Sequence, residues 1–183
     1  MKYYGFIVAL LIPMLLWGAS GMAQITLSLN SGIHFGTYEF DTSHRGDVEM
    51  GTDGNITIVN NTGLSYAGGA SPGAVTISAA PQDVVEIRCE GAGRIIVQSN
   101  GERLNVRDME LAVDTGVPYG SGIECIGTAN RNDPVLLLDL ATNTTPTILM
   151  AGRLRIFRDR LDSGFHSASN PGGDTLRLRV LFQ

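Results

Sequence analysis

Two cysteines, Cys89 and Cys125, carry the clearest chemistry in this sequence. In an exported chain, a single pair of cysteines most often forms a disulfide. That bond would close a loop of about 37 residues and contribute roughly 4 kcal/mol in the chain-entropy treatment. A metal site or a catalytic thiol is the alternative, but tetrahedral metal sites need four ligands in close groups. The histidines, at 34, 44 and 166, show no such spacing. We therefore predict a structural disulfide and no metal site.

Motifs for catalysis do not occur in the sequence. It lacks a G-x-S-x-G nucleophile turn, a phosphate-binding loop and a dinucleotide fingerprint. Ser121 lies between two glycines, which is typical of a hairpin turn. Carboxylates that could pair as in a glycosidase are available, as in any acidic protein: Asp83, Glu86, Glu124 and Asp139. We expect a non-catalytic protein that uses no cofactor.

The segment 41–54 suggests two binding hypotheses. Its Arg45-Gly46-Asp47 tripeptide matches an integrin-recognition motif, although three residues often match by chance. Its carboxylates at 41, 47, 49 and 53 could hold Ca²⁺. Calcium loops, however, place their ligands at alternate positions over about twelve residues, and this spacing differs. We interpret the segment as a solvated turn loop.

The N-terminus is typical of a secretory signal peptide. Lys2 precedes an apolar run from Gly5 to Trp17, and small residues then lead to Ala23. This pattern predicts removal of residues 1–23 by cleavage before Gln24. An uncleaved membrane anchor is the alternative, but the run is shorter than the ~20 residues of a spanning helix, and a proline interrupts it. We expect no membrane insertion of the mature chain, which would pass through the periplasm to the cell surface or medium.

The charge balance of the remaining chain excludes two classes of partner. The whole chain has 13 basic and 18 acidic residues, and Lys2 is its only lysine. The mature chain is therefore acidic, and all of its basic side chains are arginines. An acidic surface argues against nucleic acid and anionic membranes as partners.

Short alternating apolar runs, bounded by Gly, Asn, Asp or Pro, recur throughout residues 24–183. The predicted strands are 55–59, 74–78, 84–89, 94–98, 109–113, 123–125, 135–140, 147–150, 153–157 and 175–183. The continuous apolar run 135–140 indicates a strand buried on both faces. About ten to twelve short strands at this spacing predict a single all-β domain, an antiparallel sandwich. Both cysteines fall on inward faces, where a disulfide would join two strands.

Several Gly- and Pro-containing motifs resemble a family of uncharacterised secreted bacterial β-sandwich domains. They are Ile33-His-Phe-Gly36, Gly54-Asn-Ile-Thr-Ile58, Gly68-Gly69, Pro72-Gly-Ala-Val-Thr-Ile-Ser78 and Pro81-Gln-Asp-Val-Val-Glu-Ile87. The closing strand, with an aromatic Phe182 at the penultimate place, is also similar to spore-coat-U-like domains and to chaperone–usher, or common-pilus, fimbrial subunits. The cysteine pair and the Arg-rich segment 153–160 depart from the family pattern. The resemblance implies an immunoglobulin-like β-sandwich, a role in surface fibres or coats, and no catalytic residues.

Two functions follow as expectations. In the first, the protein is a filament subunit whose partners are copies of itself, related subunits and an export chaperone. Its apolar arm would fill a neighbour's sheet by β-strand addition, and its final strand would flank that groove or pair with the chaperone. The arm residues are Ile25, Leu27 and Leu29, and those of the final strand are Leu176, Leu178, Val180 and Phe182.

In the second, the protein is a self-contained secreted sandwich that binds a glycan or a cell-surface protein. Its aromatic residues are too dispersed along the chain to predict a stacking surface. The arm is interrupted at Asn30-Ser31-Gly32, so it is short for a donated strand. Residues 33–36 are predicted to start a strand of the chain's own sheet. The two functions differ in whether the arm pairs within the chain's own sheet or within the sheet of a neighbouring subunit.

Overall fold

A computed structural model describes residues 24–40, 46–59, 63–80, 84–90, 95–99, 102–125, 135–156 and 177–182. These residues form strands and connecting turns. The strands are β1 (Thr26–Ser31), β2 (Thr37–Phe40), β3 (Gly46–Met50), β4 (Ile56–Val59), β5 (Leu64–Gly68), β6 (Gly73–Ser78), β7 (Val84–Glu90), β8 (Ile95–Ser99), β9 (Glu102–Val113), β10 (Ile123–Glu124), β11 (Leu136–Asp139), β12 (Thr147–Ile156) and β13 (Arg177–Phe182).

The largest sheet has eight strands and is built around β12. One edge of β12 pairs with β9 over most of its length. The other edge pairs first with β6 and then with β3. β1 extends the sheet beyond β6, and β4 extends it beyond β3. β8 and β10 pair with the two halves of β9.

A β-bulge interrupts the pairing of β9 with β12 at mid-length. Asp108 and Met109 on β9 lie opposite the single residue Gly152 on β12, and Asp108 adopts a left-handed φ of 49°. A Cβ at Gly152 would lie 2.8 Å from the Met109 sulfur and 3.0 Å from the Arg107 carbonyl oxygen. Glycine is therefore required at this position, because a bulge increases local strand bending and brings the backbones close together.

A three-stranded antiparallel sheet, in the order β11–β7–β13, and a β2–β5 ribbon accompany the large sheet. The core cluster takes side chains from all three, among them Val48 on β3, Ile87 on β7 and Leu64 on β5. Cys89 on β7 forms a disulfide with Cys125, the residue after β10, and their Cα atoms lie 5.8 Å apart. The predicted disulfide is confirmed, and it ties the three-stranded sheet to the large one. The all-β antiparallel fold is confirmed as well, with the layered arrangement of a β-sandwich.

Several local predictions were wrong. The loop predicted over 41–54 contains β3, which is buried at alternate positions. The two strands predicted at 147–150 and 153–157 are one continuous strand, β12. β11 is not buried on both faces, because Leu137 and Asp139, which share one face, are exposed. The segment 33–36 holds one isolated bridge, between His34 and Ser71, and the next strand starts only at Thr37.

Three strands, β2, β3 and β5, were not among the sequence predictions at all, and β9 begins seven residues earlier than predicted. Both members of the β2–β5 ribbon are short, at four and five residues. The described part of the chain contains no helix of the length and apolarity needed to cross a membrane.

Candidate functional site

The predicted arm is strand β1, at one end of the eight-stranded sheet. It pairs antiparallel with β6, from Thr26 opposite Ser78 to Leu29 opposite Val75. A bulge at Asn30 shifts the register before Ser31 meets Ala74. Among the described strands β6 is its only partner, so the backbone groups on its other edge point away from the sheet. The arm is therefore a paired strand with one open edge.

The apolar side of β1 faces the same way as the core side of β6 but is poorly covered. Leu27 lies opposite Ile77, which is 1% exposed, yet Leu27 itself is 45% exposed. Leu29 is 72% exposed, the highest value among the large apolar side chains described. Only Ile25, at the start of the arm, is partly buried against the core cluster. An uncovered apolar strip on a sheet edge is typical of an interaction surface.

The opposite side of β1 is held by side-chain hydrogen bonds. The Asn30 amide donates to the Thr76 hydroxyl at 2.7 Å, and the Thr76 and Thr147 hydroxyls lie 3.4 Å apart. The Ser31 hydroxyl donates to the Pro72 carbonyl oxygen at 3.1 Å. These bonds fix the C-terminal end of the arm, whereas the residues before Leu29 depend on backbone pairing alone among the bonds described.

The β1 edge also lacks the usual protection against strand pairing. Natural edge strands carry charges or prolines that discourage pairing with another chain. Residues 24–31 contain neither. The edge strand β11 ends in Asp139, and β13 carries the exposed Arg179. The edge strands β4 and β8 carry no charge either, so what distinguishes β1 among the described strands is an uncharged edge with two exposed leucines.

The predicted C-terminal strand is present as β13 but does not adjoin the arm. It pairs with β7 in the three-stranded sheet, from Arg177 opposite Glu90 to Phe182 opposite Val85. Leu178 and Val180 are partly buried against the core, as the alternating pattern predicts. Leu176 lies outside the described residues, and Phe182 is placed by its backbone pairing. The structure therefore unites the two cysteines but assigns the two predicted assembly strands to different sheets.

A charged network that the sequence reasoning missed lies across β3, β9 and β12. Arg153 donates to the Glu49 carboxylate and lies 3.6 Å from the Asp108 carboxylate. Its guanidinium also lies over the Tyr119 ring, 5.6 Å from the ring centre. Burial raises the pKa of Tyr119, while the Arg153 charge opposes that rise. The partners are distant in sequence, so no local motif could have revealed them.

The connection after β9 is fixed by buried polar groups. Glu110 is 7% exposed, and its carboxylate accepts hydrogen bonds from the Gly120 and Gly122 amides at 2.8 and 3.2 Å. The Thr52 hydroxyl accepts from the Val117 amide at 2.8 Å. These bonds give the buried Glu110 carboxylate and Thr52 hydroxyl the hydrogen-bond partners that buried polar groups need. They have a structural role, and Ser121 lies in the turn that they hold.

Two tyrosines that the sequence leaves apart meet on the β2–β5 ribbon. The ring centres of Tyr38 and Tyr66 lie 5.4 Å apart, so the aromatics are less dispersed than predicted. The Tyr38 hydroxyl donates to the Phe35 carbonyl oxygen, and the Tyr66 hydroxyl accepts from the Ala70 amide. Burial raises the pKa of Tyr38 above its ordinary value. Both hydroxyls thus fasten adjoining backbone, which favours a structural role.

The other predicted ligand and carboxylate positions are scattered. Asp47 lies on β3, and its carboxylate is 3.5 Å from the Arg155 guanidinium. Five other positions lie outside the described residues: Asp41, His44, Arg45, Asp83 and His166. Glu86 forms a salt bridge with Arg88, and the Asp139 carboxylate accepts a hydrogen bond from the Ala141 backbone amide. Among the described residues, no group of three His, Cys, Asp or Glu side chains is placed to hold a metal ion.

Comparison with protein-family models, with curated proteins and with solved structures finds no match for this chain. Among the described residues, the exposed apolar edge of β1 is the most distinctive surface.

Proposed function

We propose that the protein is a non-catalytic exported structural subunit of a fimbria or related surface filament, assembled by β-strand addition at β1. One observation carries the proposal: β1 is an uncharged edge strand whose Leu27 and Leu29 are 45% and 72% exposed. Strand addition uses backbone hydrogen bonds for affinity and alternate side chains for specificity. β1 offers both on one open edge.

The magnitude of the interaction follows from the exposures. Burying a leucine fully is worth about 2 kcal/mol, so covering Leu27 and Leu29 is worth about 2 kcal/mol together. Every second one of the six residues turns its N–H and C=O outward, so about six backbone hydrogen bonds, at roughly 1 kcal/mol each, add about 6 kcal/mol. Association costs at least about 4 kcal/mol in lost freedom. Simple edge pairing is therefore weak, and assembly depends on high local concentration.

Export to an oxidising compartment is part of the proposal. Disulfides persist outside the reducing cytosol, so the Cys89–Cys125 bond is compatible with export. The leader 1–23 would direct that export and be removed before Gln24. An export chaperone would cover the open edge before assembly.

A matched pair of charge substitutions tests the site. Leu29→Lys places a gatekeeping charge on β1, and Leu137→Lys places the same charge on the half-exposed leucine of β11. We expect the first variant to abolish filaments and concentration-dependent association, and the second to retain them. Both should unfold at about the wild-type temperature, because both leucines are at least half exposed. Equal loss in both, or in neither, contradicts a site at β1.

Removal of residues 24–30 tests the arm itself. The truncated chain should expose the β6 edge and become unstable as a monomer. A peptide of residues 24–31, added in excess, should bind that edge and restore stability by mass action. A truncated chain that stays folded and monomeric, from a full chain that never polymerises, contradicts the filament proposal.

A second function is favoured by the pairing of β1 within its own sheet. Four consecutive residues, Thr26 to Leu29, pair in register with β6, so β1 is a strand of the chain's own sheet. Such a protein would be a secreted module that binds a glycan or a surface protein through its loops. It would remain monomeric at every concentration, and Leu29→Lys would leave its ligand binding unchanged.

A further inference from the structure

Gln24 occupies a special position at the start of the arm. Its side chain is exposed, and it precedes Thr26, the first residue of β1 paired with β6. The cleavage proposed above makes Gln24 the N-terminal residue of the exported chain. The inference below rests on that export step of the proposed function.

An N-terminal glutamine can close on itself. The neutral α-amino nitrogen attacks the Cδ carbonyl carbon of its own side chain, and a new C–N bond forms a five-membered lactam. The bond from Cδ to the side-chain nitrogen breaks, that nitrogen takes up the proton released by the α-amino group, and ammonia leaves. No oxidant, reductant or other reactant is needed, and the exposed side chain is free to reach its own amine. We propose that Gln24 of the exported chain is converted to pyroglutamate.

The consequence falls on the β1 edge. An α-amino group has an ordinary pKa near 8, so a free terminus is mainly charged at neutral pH. Residues 24–31 contain no charged side chain, and residues 24–183 contain no lysine. The α-amino group is thus the sole charge that residues 24–31 themselves would carry, and the sole primary amine of the mature chain. Cyclisation removes it, and with it the one charge of residues 24–31 that would discourage strand addition.

The test compares the exported wild-type protein with Gln24→Ala, which keeps a free α-amino group. The intact mass of the wild type should be lower by one ammonia than that of residues 24–183 with a disulfide. An amine-specific reagent should attach no label to the denatured wild type and one label per chain to the variant. A wild-type chain with the uncyclised mass and one label, or one that begins at another residue, overturns the inference.

Association measurements separate this inference from the proposed function. If cyclisation regulates the edge, the association of Gln24→Ala should strengthen as the pH rises through the α-amino pKa, whereas that of the wild type should be unchanged. A pyroglutamate on a strictly monomeric protein would keep the modification and overturn its role in assembly. An uncyclised chain that still forms filaments would overturn the modification alone.

Discussion

Removal of the Cys89–Cys125 disulfide is the perturbation whose magnitude is set most directly by the fold. The bond spans a sequence separation of 36 residues and ties β7 to the end of β10, in a different sheet. Closing a loop of that length restricts the unfolded chain by about 4 kcal/mol in the chain-entropy treatment. We therefore expect Cys89→Ala/Cys125→Ala to lose about 4 kcal/mol of unfolding free energy. For a domain of this size, that lowers the melting temperature by roughly 8 to 16 °C.

The assay is urea unfolding of the oxidised wild type, the reduced wild type and the double variant, followed by circular dichroism. Alanine is preferred to serine because Cys125 is 3% exposed and would bury an unpaired hydroxyl. The urea dependence of the free energy should also steepen without the bond, because the unfolded chain exposes more surface. The reduced wild type should match the double variant. A double variant within about 1 kcal/mol of the oxidised wild type would refute the reasoning from loop closure.

Three further predictions concern single residues. Glu110→Ala removes the acceptor of two backbone amides in the 120–122 turn and should cost about 2 to 3 kcal/mol in urea unfolding, whereas Glu110→Gln keeps one acceptor oxygen and should cost less. Gly152→Val forces a side chain against the Met109 sulfur and should destabilise by about 2 kcal/mol or more, and an unchanged melting temperature would contradict the bulge geometry. Because the pKa of Tyr38 is raised, the folded state favours the neutral side chain. The contribution of Tyr38 to the free energy of unfolding is therefore complete below about pH 10 and is lost as the pH rises further. The free energy of unfolding, measured between pH 9 and 11, should therefore fall less steeply with pH for Tyr38→Phe than for the wild type. Equal slopes would contradict a raised pKa for Tyr38.

The sequence predicted the strands whose apolar residues alternate without interruption. β4, β6 and β7 lie where the pattern places them, because each has one face toward the core. The disulfide was predictable as well, because exported chains with two cysteines most often pair them.

β3 could not be predicted locally, because its polar residues are stabilised from far along the chain. Asp47 and Glu49 gave the segment the composition of a loop. Their partners, Arg155 and Arg153, lie on β12, about a hundred residues further on. The two strands predicted at 147–150 and 153–157 are continuous in β12 for a similar reason. Gly152 lies at the bulge, where the opposite backbone approaches too closely for a side chain, so the glycine does not end the strand.

The candidate site was predicted in part. The alternation of Ile25, Leu27 and Leu29 indicated a strand, but alternation cannot tell which sheet a strand joins. In the folded chain, β1 pairs with β6 while its leucines stay exposed, and this depends on residues far along the sequence. The sequence also could not predict that β1 and β13 lie in different sheets, because that depends on the order in which the strands pair.

Hydrogen exchange of residues 24–31 at low and high protein concentration tests the central claim most directly. If β1 is the assembly edge, its outward backbone amides are open to solvent in the monomer and become hydrogen-bonded in the filament. We predict that exchange across residues 24–31 slows at least tenfold on assembly, and that β11 keeps its monomer rate. Assembly that leaves 24–31 exchanging at the monomer rate while another strand becomes protected would contradict the claim.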